Sequence, residues 1–212
     1  HQITTCVTER PGAQAYTSAA PSTAYVGRNY PATNAPCPSA VIMPLSSDKS
    51  AMKSLISSFN VTGATAGQIG LAWGWYTVSP SFNALWSGNP AGVASPNELL
   101  KAVILMTDGE FNTNYCTGVL ASNSGNGGER INCAATNGNP FDQAEALCDA
   151  MKAEGVIVYT VGLQLASGGA AEDVMQYCAT SPDHVYLPAS GGDLSEAFAA
   201  IGRELTQLRI SR

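Results

Sequence analysis

Two short apolar runs, residues 102–106 and 156–161, constrain this chain more than anything else in it. Each has the length of a strand; the first is apolar at every position and the second at all but Thr160, so both faces of the strand are meant for burial. That pattern belongs to a parallel sheet covered by helices on both sides. Helical periodicity stands around and between these runs. Met52, Leu55, Ile56 and Phe59 recur at helical spacing, with Ser47 as N-cap. Ile69, Ala72, Trp73 and Tyr76 give a second amphipathic helix, stopped at Ser79-Pro80. Asn139 as N-cap and Pro140 in the first turn open a third, with Phe141, Ala144, Cys148 and Met151 on one face and Gly155 at its end. A helix around 172–178 and a short strand at 184–187 follow. In the last helix Asp193 and Glu196 form a capping box, and Leu194, Ala197, Phe198, Ile201, Leu205 and Leu208 form the stripe. This alternation predicts an α/β fold, a doubly wound, mostly parallel sheet with helices on both faces. Short strands are also predicted at 3–7 and 41–43, the second ended by Pro44. The rest of 1–40 reads as an irregular, disulfide-closed surface segment, and 112–139 as a long insertion loop within a single domain.

Composition limits the partners. Of 212 residues only 12% are charged, and the net charge is −6 with ten Lys and Arg. Binding to a phosphate backbone needs clustered cations, so nucleic acid is excluded as a partner. No apolar run reaches the ~20 residues that span a bilayer. The six cysteines, Cys6, Cys37, Cys116, Cys133, Cys148 and Cys178, contain no C-x-x-C pair. With two histidines in the chain, they point to disulfides and an oxidising, extracytoplasmic compartment rather than zinc. Nearest-neighbour pairing gives Cys6 with Cys37, Cys116 with Cys133 and Cys148 with Cys178, one of about fifteen connectivities.

Ligands of open parallel sheets bind at the carboxyl ends of the strands. There the run 102–106 continues into Thr107, Asp108, Gly109 and Glu110, and the loop before the second helix carries Thr62, Gly63, Ala64 and Thr65. A carboxylate and hydroxyls at one sheet edge suit a hard divalent cation. The competing reading is a plain Asp-Gly turn and a capping threonine. Trp73, Trp75 and Trp86 offer a sugar platform, but Trp73 falls on the apolar stripe. Asp183-His184 offers a hydrolase pair, but adjacent strand residues face opposite ways and no Gly-x-Ser-x-Gly elbow exists. Asn60-Val-Thr62 is a glycosylation sequon.

The segment Val103-Ile-Leu-Met-Thr-Asp-Gly-Glu110 resembles the von Willebrand factor A domain. More narrowly, Gly70-Leu-Ala-Trp-Gly-Trp-Tyr-Thr-Val-Ser-Pro80 with Met106-Thr-Asp-Gly-Glu-Phe-Asn112 resembles the version in bacterial tight-adherence pilus-assembly proteins. Leu147-Cys-Asp-Ala-Met-Lys152, Tyr159-Thr-Val-Gly162 and the Leu-Arg pair at 208–209 continue it in order. The resemblance implies a Rossmann-like fold and a non-enzymatic adhesion or protein-binding role at a bacterial surface. It also implies a metal-ion-dependent adhesion site holding Mg²⁺, Mn²⁺ or Ca²⁺, to which a partner protein adds a carboxylate. Thr65 and Asp108 map onto two of its three ligand segments. Glu110, Asn112 and a loop closed by Cys116 and Cys133 would rim it. The third segment, Asp-x-Ser-x-Ser, does not occur; Asp48-Lys-Ser50 and Asp193-Leu-Ser195 stand where helices begin and read as caps. The expectation is therefore that the sheet is incomplete without upstream strands, supplied by an upstream fragment of the same protein or by another chain. Any membrane contact would come through an N-terminal anchor outside this chain. The alternative is a metal-free structural subunit of a cell-surface assembly.

Overall fold

Asp48 accepts the N–H groups of Ser50 and Ala51 and so starts the first helix, α1 (Lys49–Ser57). The cap is thus Asp48 rather than Ser47, because a carboxylate one residue nearer reaches both orphan donors. In the computed structural model, residues 6–10, 12–26, 38–60, 65–86, 88–95, 98–114 and 137–210 are described. The expectations for residues 3–5 and 61–64, for 27–37 with Cys37, for residues 115–136 of the insertion with Cys116 and Cys133, and for the side chains of Leu208 and Arg209 lie outside them.

The remaining elements follow in order: α2 (Gly67–Val78), β1 (Lys101–Thr107), α3 (Pro140–Ala153), β2 (Val156–Gly162), α4 (Ala170–Cys178), β3 (Val185–Tyr186) and α5 (Gly191–Ile210). Asn139 caps α3 by accepting from Phe141 and Asp142. Gly155 ends α3 in the left-handed region at φ 76°, where glycine carries no Cβ penalty. The last helix starts a turn earlier than its sequence signal. Ser190 accepts the N–H of Asp193 and donates its hydroxyl to the Asp193 carboxylate. Asp193 therefore sits inside the first turn instead of capping it.

The three strands form a parallel sheet in the order β1-β2-β3, with Val103 opposite Val158 and Thr107 opposite Gly162. Right-handed crossovers in one direction drop both α3 and α4 on the same face. There Val103, Leu105, Val156 and Val158 join α2, α3 and α4 in the main core. The buried Cys148–Cys178 disulfide ties α3 to α4. On the opposite face, among the described residues, α5 packs against the sheet: Tyr159, Val161 and Ile201 form the core there, with Ala102, Ile157, Tyr186, Leu194 and Leu205 packed on it. α5 does not reach the outer half of β1, where Ile104 is 38% and Met106 44% exposed. The expected burial of this strand on both faces therefore holds for one face only.

Several expectations are corrected. α2 is buried nearly all round, including Gln68, Leu71 and Trp75, so it is a central helix rather than an amphipathic one. Residues 41–43 form no strand, and Val41 is exposed; Cys6 and Val7 are likewise in no strand. The N-terminal segment is not merely a surface feature. Thr8, Glu9 and Arg10 are buried. The Arg10 guanidinium lies 5.2 Å from both the Tyr76 and Phe82 rings, themselves stacked at 4.1 Å, and donates to the carbonyls of Thr17 and Ala19. Trp73 Nε1 donates to the Thr8 carbonyl at 3.0 Å. Cys6 is disulfide-bonded.

Candidate metal-binding rim

Two loops meet at the carboxyl end of β1. The first runs from Thr65 into α2 and the second from Asp108 to Asn114. They are joined residue by residue. Asn112 donates its backbone N–H to the Thr65 carbonyl at 2.9 Å, and its side-chain carbonyl accepts the Thr65 N–H at 2.8 Å. Gln68 donates to the Thr113 carbonyl at 2.8 Å. Phe111 is fully buried and stacks on Phe141 at 5.3 Å. It presses so closely on the start of α2 that a Cβ at Gly67 would stand 2.0 Å from its ring. The second loop thus hangs on an aromatic anchor placed against a bare backbone.

Within this frame Thr107 is buried, and its hydroxyl closes the turn by donating to the Gly109 carbonyl at 2.9 Å. The next side chain, Asp108, is exposed at the rim and enters no ion pair among the described residues. Thr65 is half-buried, and its hydroxyl makes no hydrogen bond among the described residues. Glu110 turns toward the start of α4, where its carboxylate accepts the Ala171 N–H at 3.4 Å. Asn112 is occupied by the bonds to Thr65 and by the Thr113 hydroxyl at 3.1 Å. The neighbouring strand ends are held as firmly: Leu163 donates to the Thr107 carbonyl and Gln164 to the Pro188 carbonyl.

The donor set suits a hard cation in kind: one exposed carboxylate and one hydroxyl on tethered loops. It does not fill a coordination sphere, since such ions take about six or more oxygens. Among the described residues no three His, Cys, Asp or Glu side chains converge. Any cation here would take its remaining ligands from water and from residues beyond this set.

The other sequence candidates are placed elsewhere. Trp73 and Trp75 are core residues, the second with its indole N–H on Glu154 at 3.2 Å. Trp86 packs edge-on against Trp73. No sugar platform forms from them. His184 Nε2 lies 3.0 Å from Glu204, not Asp183, and its ring rests on Tyr159 at 4.3 Å. An imidazole so enclosed does not serve a serine nucleophile. Asp48 and Asp193 are spent at helix starts. The clasp role of Asn112 and the anchor role of Phe111 went unread in the sequence; the sole signal was their position directly after the Thr-Asp-Gly turn.

No family model matches the chain, and no curated protein matches its sequence. Solved structures of similar shape include the pilus adhesin SpaC from Lactobacillus rhamnosus GG, at 20% identity and TM-score 0.48, over 78% of this chain and 21% of that one. They also include proximal thread matrix protein 1 from the mussel byssus, at 21% identity and TM-score 0.39, over 72% of this chain and 28% of that one. The chain spans less than a third of either protein. At this level of likeness the α/β assignment rests on the chain's own strands and helices.

Proposed function

We propose that this chain is part of an extracytoplasmic, non-enzymatic adhesion domain of the von Willebrand A type, from a pilus-assembly-type surface protein. It would bind a partner protein through a divalent cation at the carboxyl rim of β1. The observation that carries this reading is the hydrogen-bonded union of the Thr65 loop with the loop after Asp108. Asp108 and Thr65 would hold Mg²⁺, Mn²⁺ or Ca²⁺ directly or through water, and Glu110 would border the site. With so few protein charges on it, the ion would stay electrophilic and keep a position open for a partner's carboxylate. The Cys148–Cys178 disulfide supports an oxidising compartment, and no described helix is long and apolar enough to cross a membrane.

The ligands not found among the described residues and the exposure of Ile104 and Met106 have one solution in this reading. An upstream segment of the same protein, or another chain, pairs with β1, covers Ile104 and Met106 and brings further oxygen ligands to Asp108. A metal-free structural role in a surface assembly is the second reading, favoured by the apolar groups left exposed: Val41 at 59%, Ile56 at 63% and Phe59 at 57%. Calorimetric titration of Mg²⁺ and Mn²⁺ into wild type and Asp108→Ala separates the two. Saturable binding lost in the variant is expected; equal heats from both proteins would leave the metal-free role.

A further inference from the structure

We infer that Asn112 is a positioning residue of this rim, not a border residue open to ligand; the inference rests on the cation reading above. The amide oxygen of asparagine has two lone pairs, and here both are engaged, one by the Thr65 N–H at 2.8 Å and one by the Thr113 hydroxyl at 3.1 Å. Its own N–H returns to the Thr65 carbonyl at 2.9 Å. This two-way pair joins positions 47 apart in sequence, in the manner of two facing strand residues. The residues on either side reinforce it: Phe111 wedges against Gly67, and the Thr113 carbonyl takes the Gln68 amide. Three successive residues of one loop thus grip three positions at the start of α2. The clasp fixes the backbone of the loop that carries the Thr65 hydroxyl, so in the cation reading Asn112 governs cation affinity without touching the ion. Residues that orient metal ligands in this way commonly change affinity by about 10–100-fold when removed.

The test has two readouts on the same chain. In the metal-free protein, Asn112→Leu keeps the size and loses the acceptor, so the Thr65 amide is expected to exchange its hydrogen faster. Asn112→Asp keeps the acceptor and restores protection. In Mn²⁺ titrations Asn112→Leu is expected to bind about 10–100-fold more weakly and Asn112→Asp no more weakly than wild type. Should the leucine variant fail to fold, Asn112→Ser, whose hydroxyl is too short to span the gap, takes its place. Unchanged Thr65 exchange in the acceptor-free variant overturns the inference, as does wild-type Mn²⁺ affinity in that variant. Failure of the cation reading looks different: wild type and Asp108→Ala would both ignore Mn²⁺, while the exchange result still decides the clasp.

Discussion

Gly67 is where the smallest change should do the most local damage. A methyl there would overlap the Phe111 ring, which is fully buried and stacked on Phe141. Gly67→Ala should therefore cost roughly 1–3 kcal/mol through overpacking, even though alanine is the better helix former. Thermal melting checks it; a melting temperature at or above wild type would show that the ring has somewhere to go. Such a contact is invisible in a linear reading, because Gly67 and Phe111 are distant in sequence and share no motif. The Thr107-Asp108-Gly109 turn was legible because strand end, hydroxyl and carboxylate are consecutive. The partners of that turn were not.

At the scale of elements, caps and breakers reported themselves. Asn139-Pro140 and Gly155 bound α3 where expected, since those side chains act on their own backbone. α2 misled because a helix packed on most sides loses its polar stripe and keeps no clear face. The N-terminal segment misled for a related reason: Arg10 is buried by Tyr76 and Phe82, and a long-range contact leaves no periodicity behind it. α5 is fastened to the sheet through the Tyr159 ring, His184 and Glu204. Burial first, and the Glu204 carboxylate second, push the Tyr159 hydroxyl well above the ordinary tyrosine range. The folded state thus favours the neutral phenol, while the unfolded chain ionises near pH ~10. The stability this contributes is complete below that pH and is lost as pH rises above it. Melting curves from about pH 8 to 11 should fall less steeply for Tyr159→Phe than for wild type. Parallel slopes would place the alkaline sensitivity in other tyrosines.

For the molecule as a whole, the topology explains what is bare. Two right-handed crossovers running one way cover one face, while among the described residues the other face carries α5, with Ile104 and Met106 left exposed. The class of fold was therefore readable from the alternation of elements, while the incomplete cover of β1 emerged as a consequence of strand order. Ile104→Lys and Met106→Lys test the idea that this face receives another segment. In the chain by itself, half-exposed positions should change stability by no more than about 1 kcal/mol. Where a further segment covers this face, as proposed above, burying a lysine beneath it should disrupt packing and lower the melting temperature markedly. The same small effect with that segment present would mean that it does not cover this face.

Paramagnetic broadening of amide signals by substoichiometric Mn²⁺ tests the rim most directly, because it reports position as well as binding. The amides of Thr65, Asp108 and Gly109 should broaden first, with those of α5 spared, and Asp108→Ala should abolish the pattern. Broadening centred instead on the acidic surface of α3 around Asp142, Glu145 and Asp149, or none at any position, would contradict the cation site and the adhesive function built on it.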